Sequence, residues 1–524
     1  MNNRSYPFVR RFMSLGRRRR LSLSLVPCSH ALVVAVLLTL PLLYGCGSAP
    51  KKADVTANLA AVAVAKPVAV DQSFRQQTPT PSLSKTLTLP VPTKTVLDNG
   101  LTLFVVPKPG LPLVHIEVVL KSGAAQDPAG KEGVSSFTAD LLKQGTTDLT
   151  AEQLADTVET LGTSIDIDVD EDSTSIGFTA LTDTTPQVLD VLAEILQTPK
   201  FAPAEIERLR KQRLAALEQS KDNPGATAQR VFRKVVYANH PYGHTSYGTA
   251  PSVTKISAKD VQVYFAKHYR PENAAVIVVG DLEPSIARQQ IESRLSDWRG
   301  APGVTKPPAP AKALAANTTL VHKASAPQSQ LMIGHLGVAR SDADYYPLVL
   351  CNSVLGGLFN SRINMNLREV HGYTYGARSY FDFMRAPGSF FVSTGVRTDV
   401  TGLAINEVLL EIDRIRNADI TQLELDNAKS RYTLTLPDFF QTVQRIADMT
   451  ASLYLFDLPL DYYRALPEAI AKVTVADVRR VAQTHLKPKA LSIVVVGDKT
   501  KVQAELTALK RGKVTLRDAD GKVL

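Results

Sequence analysis

Cysteine is scarce in this 524-residue chain, which has only Cys28, Cys46 and Cys351, far too few for a disulfide-stapled scaffold. Long apolar runs are missing as well. The most apolar stretch, 31–43, is interrupted by Pro41 and is too short to cross about 30 Å of hydrocarbon as a permanent helix. Residues 1–45 contain no lysine, aspartate or glutamate, yet seven arginines stand there: Arg4, Arg10, Arg11, Arg17, Arg18, Arg19 and Arg20. They supply +7 of the net +10 and leave +3 for the other 479 residues. The basic balance therefore does not describe a phosphate-binding surface, and nucleic acid is not an expected partner. With 44% hydrophobic and 21% charged residues, the bulk fits neither disorder, collagen nor a multi-span membrane protein. What remains is a folded soluble body, long enough for about two to four units of ~100–200 residues.

An arginine-rich start followed by a short apolar core reads as an export signal over residues 1–45. The segment Leu43-Tyr44-Gly45-Cys46-Gly47-Ser48 resembles the lipobox of bacterial lipoproteins, which implies lipidation of Cys46. Each buried acyl methylene adds about 0.8 kcal/mol of membrane affinity, so several chains anchor a soluble body stably. Gly47 after the cysteine implies, by the same resemblance, an outer-membrane lipoprotein facing the periplasm. Residues 46–92 are largely Ala, Val, Lys, Thr, Ser and Pro without a sustained period, which suits a flexible tether. Cys351 lies in the mostly apolar run 346–355 and is expected to be a buried small hydrophobe rather than a nucleophile.

A second proline-rich stretch, 302–317, reads as a linker between two segments that repeat each other. Ser257 and Asp260 precede a Val-Val-Gly-Asp ending at Asp281, and Thr474 and Asp477 precede another ending at Asp498. Both ends of the repeat are 217 positions apart. Each copy predicts a short helix capped by Ser257 or Thr474, then an apolar strand (274–279 or 491–496) closed by Gly-Asp. Two duplicated domains follow, 93–301 and 318–524. In the first, alternation predicts strands at 101–106, 114–120, 165–169 and 175–180. Helical spacing covers 133–143, 151–161, 186–196 and 203–219. Neighbouring strands with interspersed helices predict an α+β fold whose mainly antiparallel sheets are packed by helices.

Several separated segments, in order, are similar to the insulinase-like zinc metallopeptidases, peptidase family M16. They include Ser122-Gly123-Ala124 through Asp127-Pro128, 133–146, His240-Pro241-Tyr242-Gly243, Tyr269-Arg270-Pro271-Glu272-Asn273, Gly280-Asp281, and Leu367-Arg368-Glu369 through Tyr375. The resemblance implies a clamshell arrangement and a zinc-binding His-x-x-Glu-His on the helix at 133–146. Two histidines at i and i+4 share a helix face and can reach one Zn²⁺, while the glutamate activates its water. Here those places hold Ser136, Ala139 and Asp140. The third ligand of active relatives is a glutamate on a later helix. If Glu218 holds that place, the supporting carboxylate is replaced by Lys211. Two oxygens without imidazole make a poor zinc site, so no metal is expected in this chain. Two other pairs are also weak. His240 and His244 flank Pro241 and Gly243, which predict a turn rather than one helix face. His115 and Glu117 share a strand face but lack a third ligand.

The other half of the family's machinery is present. In active relatives an arginine and, seven residues later, a tyrosine face the zinc and hold the substrate. Arg368 and Tyr375 match that pair, with Tyr373 as the rival phenol. A guanidinium forks onto a carboxylate or reaches a peptide carbonyl, and a phenol donates to a developing oxyanion. Upstream, residues 356–362 resemble the family's glycine-containing turn. The resemblance thus implies a non-catalytic, substrate-binding subunit that pairs with a separate homologue carrying an intact zinc motif, the zinc being in that partner. The alternatives are a peptide-binding or assembly lipoprotein without peptidase activity, and an autonomous zinc peptidase with atypical ligands.

Overall fold

Alternating and continuous apolar runs become two six-stranded sheets in the computed structural model, which describes residues 88–300 and 302–524. The predicted export signal, Cys46 and the tether up to residue 87 lie outside the described residues. The first sheet contains β1 (Thr93–Val96), β2 (Thr102–Pro107), β3 (Leu113–Leu120), β4 (Asp166–Val169), β5 (Thr174–Leu181) and β6 (Ala274–Gly280), in the order β1-β2-β6-β3-β5-β4. The second contains β7 (Thr318–His322), β8 (Gln328–Leu336), β9 (Thr374–Phe381), β10 (Ser389–Arg397), β11 (Ser492–Gly497) and β12 (Val514–Arg517), in the order β12-β7-β11-β8-β10-β9. β2 pairs with β6 in parallel, as β7 does with β11 and β12, and the other neighbours are antiparallel. The fold is α+β with two mixed sheets, and β6 and β11, the repeated apolar strands, occupy equivalent inner places.

Helices of the first half are α1 (Val134–Leu141), α2 (Ala151–Thr160), α3 (Thr185–Gln197), α4 (Pro203–Ser220), α5 (Pro224–Tyr237), α6 (Ala250–Lys255), α7 (Ala258–His268) and α8 (Pro284–Leu295). Those of the second are α9 (Tyr345–Asn352), α10 (Thr401–Asn417), α11 (Gln422–Thr435), α12 (Val443–Leu455), α13 (Tyr462–Ala471), α14 (Val475–His485) and α15 (Lys499–Ala508). The repeat is visible in the caps. Ser257 accepts from Asp260 N and Thr474 from Asp477 N, and each aspartate returns a bond to the cap backbone. Reciprocal bonds of this kind satisfy donors that a helix start otherwise leaves unpaired.

β6 and β11 are buried at every position, and apolar at all but Ser492, because both faces are covered. Val276 and Val278 join the first half's own core, while Ala275, Ile277 and Val279 meet Ile446 and Ala447 of α12, a helix of the second half. Ile493 and Val495 likewise join the second core, while Val494 and Val496 meet Val231, Phe232 and Val235 of α5, a helix of the first half. The two halves therefore exchange helices, each sheet being closed by a helix of the other half. The Phe232 ring packs, tilted by 57°, at 5.7 Å from that of Phe391 of β10, and burying such a ring is worth about 1.5–3 kcal/mol.

Two of the motif segments fix the seam. Tyr242, fully buried, donates to Asp172 Oδ1 at 2.6 Å and accepts from Ala386 N at 3.1 Å, while Arg385 N donates to Asp172 Oδ2 at 2.7 Å. The β4–β5 turn and the β9–β10 loop are joined through one phenol. Asn273 accepts from Thr305 N at 2.9 Å and His240 Nε2 donates to Ala309 O at 2.7 Å, so the linker is strapped to the first half. Cys351 is fully buried, and burial pushes its thiol up to about 12, leaving no thiolate for chemistry.

Candidate functional site

Two surfaces correspond to the two parts of the expected site. The first is built on α1. Its N-terminus turns on Gly133, whose φ of +96° suits glycine and where a Cβ would lie 2.8 Å from Tyr247 O. Asp127, buried, accepts from Gly133 N at 2.6 Å and Ser135 N at 2.8 Å. Burial pushes this carboxyl up to about 7 even though those bonds oppose the shift. The helix start is thereby fixed, and with it the face that carries Ser136 and Asp140.

Across that face stands Arg213 of α4, whose side chain is 3% exposed. Its Nη1 donates to Ser136 Oγ at 2.8 Å and its Nη2 to Asp140 Oδ2 at 2.5 Å. The Tyr247 ring covers the guanidinium at 4.4 Å. Ser136 Oγ in turn donates to Ser246 O at 2.5 Å. Helix geometry brings together the two positions expected to face a metal, but the group between them is a fixed cation. Two oxygens, no imidazole and a guanidinium that never loses its proton do not fit zinc.

The expected register on the later helix is corrected here. Glu218 is 73% exposed and pairs with Lys221 at 2.8 Å, and Lys211 is also exposed. The buried stripe of α4 runs through Ile206, Leu209, Arg213 and Leu217, the three- and four-residue steps of one helix face. Glu218 and Lys211 lie off that stripe. An arginine within an otherwise apolar stripe was the available signal, and motif matching passed over it.

The remaining metal candidates are occupied by other bonds. His240 and His244 flank a short turn as expected, and both nitrogens of His240 bind backbone groups. His115 is buried against Thr179 Oγ1 at 2.8 Å, and burial lowers it to about 4. Among the described residues, Asp342, Asp344 and His485 also converge. There Asp344 already pairs with Arg480 at 2.8 Å and His485 at 2.7 Å, and these bonds hold its carboxyl below the usual range.

The second surface lies on the other half, at the open edge of its sheet. Residues 353–357 and Met365–Val370 form two wide π-helical turns, a geometry frequent at functional sites. Arg368 lies in the second. Its Nε reaches Glu369 Oε1 at 3.1 Å, and its guanidinium lies 4.7 Å from the Phe359 ring centroid. Behind the turn, Asn366 donates to Glu407 and Glu411 of α10 at 3.0 and 2.8 Å. Tyr375 is the second residue of β9, the edge strand, and is 90% exposed. Tyr373 differs, being half-buried on the core and stacked on His371 at 4.9 Å.

Residues 105–250 match the sequence model of insulinase (peptidase family M16), and residues 255–432 match that of the peptidase M16 inactive domain. The chain is 23% identical over 394 residues to the non-peptidase homolog YmxG of Helicobacter pylori, covering 75% of this chain and 90% of that protein. Among solved structures, the peptidase M16 inactive domain from Pseudomonas fluorescens superposes with a TM-score of 0.74 at 26% identity, covering 78% of this chain and 98% of that one. The periplasmic protease PqqL from Escherichia coli shares the fold, with a TM-score of 0.66 at 19% identity over 82% of this chain and 52% of PqqL. Two family models in sequence, and α1 without its histidines, lead to one assignment: the chain belongs to the insulinase-like peptidase family M16, as a homologue of the inactive type.

Proposed function

We propose that this chain is the non-catalytic, substrate-binding subunit of a periplasmic M16-type zinc peptidase. A separate homologue with an intact zinc motif would supply the metal, and Arg368 and Tyr375 would hold the peptide it cleaves. The observation that carries this reading is the contrast between the halves. Arg213 fills the place opposite Ser136 and Asp140, whereas the Arg/Tyr segment faces solvent. The likeness to PqqL is consistent with pairing, since the fold of this chain matches the whole of that protease's first half and 52% of its full length. Tyr375 is favoured over Tyr373 because an exposed phenol can meet a ligand, while the Tyr373 ring is already packed.

The test is to purify the chain alone and mixed with such a homologue, then measure zinc content and cleavage of an unfolded peptide. The chain alone is expected to be inactive and zinc-free, and the mixture to cleave faster than the homologue alone. A mixture no faster than the homologue would favour a peptide-binding lipoprotein without peptidase activity. Stoichiometric zinc in the lone chain would revive an autonomous peptidase.

Lipidation at Cys46 would place this body at the outer membrane, facing the periplasm. Cys46→Ser is expected to shift the protein from the membrane pellet to the soluble periplasmic fraction, since the acyl chains supply the membrane affinity. A variant that still sediments with outer membranes would remove the lipid anchor from this account.

A further inference from the structure

Phe359 lies in the turn at 356–362 but has no role in the reading above, yet it is a large ring left 55% exposed directly beside Arg368. Its backbone is held with unusual care for a surface turn. Asn364, almost fully buried, donates from Nδ2 to Phe359 O at 2.6 Å and accepts at Oδ1 from Ala377 N at 2.9 Å. Arg378 Nη1 donates to Gly357 O at 3.0 Å. Gly356 approaches β9 so closely that a Cβ would lie 2.4 Å from Ser379 Oγ. Ser379 and Asn352 exchange bonds of 2.7 and 3.1 Å. The turn is thus tied to Ala377, Arg378 and Ser379, on the strand that carries Tyr375.

A ring fixed in this way does two things. It places a flat, weakly negative face against the Arg368 guanidinium, an attraction worth about 0.5–1 kcal/mol at exposed sites. This contact also restrains the fork, whose Nε is taken by Glu369. The rest of the exposed ring is apolar surface next to that fork.

We propose that Phe359 is a specificity-determining residue of the substrate-holding face. It steadies Arg368 and accepts an apolar or aromatic side chain of an extended peptide whose neighbouring carbonyl or carboxylate meets the guanidinium. The inference rests on the reading that Arg368 holds substrate, and the test separates the two.

The probes are two fluorescein-labelled unstructured peptides that differ only in one central residue, phenylalanine in one and serine in the other. Their affinities are measured by fluorescence anisotropy with the full chain and its variants. Wild type is expected to prefer the phenylalanine peptide. Phe359→Ala should weaken that peptide about tenfold, which is ~1.4 kcal/mol, and change the serine peptide by less than about twofold. Phe359→Leu, retaining apolar area without the ring, should fall between. Arg368→Gln should weaken both peptides alike. Because Phe359 is largely exposed, its variants should keep the wild-type thermal midpoint. Equal losses for both peptides in Phe359→Ala, or none, with Arg368→Gln still weakening both, would overturn the role of Phe359 alone. No wild-type binding, or no effect of Arg368→Gln, would overturn the substrate-holding reading and this inference with it.

Discussion

Replacing Arg213 with methionine is expected to lower the unfolding free energy by about 2–3 kcal/mol, read from urea denaturation. Removing one partner of a buried ion pair usually costs ~3–5 kcal/mol because the other charge is left uncompensated. The lower figure applies because Asp140, 35% exposed in its side chain, can recover hydration. Ser136 also keeps its bond to Ser246 O. Arg213→Lys should recover only part of the loss, since an ammonium cannot fork onto both oxygens in one plane. The same arginine governs metal uptake. Restoring Ser136→His, Ala139→Glu and Asp140→His together should still give a protein without stoichiometric zinc, because the guanidinium occupies the space and repels a divalent cation. Adding Arg213→Glu to those three should allow zinc to bind. Tight zinc in the triple variant, with Arg213 intact, would refute this account.

If the chain pairs with a catalytic homologue as proposed, Tyr375→Phe is expected to lower turnover of the complex about a hundredfold while leaving assembly and the thermal midpoint unchanged. A single donor aimed at a developing oxyanion is worth ~10²–10³ in rate, and an exposed phenol contributes little to stability. Tyr373→Phe should leave turnover near that of the wild type. Steady-state kinetics on the purified complex, with co-elution as the control for assembly, distinguishes the two tyrosines. If Tyr375→Phe is silent and Tyr373→Phe is not, the duty belongs to Tyr373 and the turn at Gly372 must rearrange on binding.

Much of the architecture could be read from local pattern. The strands at 101–106, 114–120, 165–169 and 175–180 lie within a residue or two of β2, β3, β4 and β5. The capped helices of the repeat begin at Ser257 and Thr474 as expected. These features depend on neighbours in sequence, where period and capping chemistry suffice. The exchange of α5 and α12 was not legible. An apolar helix face announces that it will be buried, not which sheet will bury it. The closed metal position was half legible. The missing histidines could be seen in one motif, but their replacement by Arg213 required knowing which face of α4 turns inward. The β1 and β12 edges differ for a similar reason, since one is antiparallel to its neighbour and the other parallel, a choice set by where the chain returns from.

The exchanged helices have a consequence for synthesis and turnover. The first sheet remains uncovered on one face until α12 of the second half has been made, so the chain reaches its native state only after both halves are synthesised. A protease that nicks 302–317 after that point produces two fragments that remain interlocked, and they should co-purify until denaturant pulls α5 and α12 from their adopted sheets.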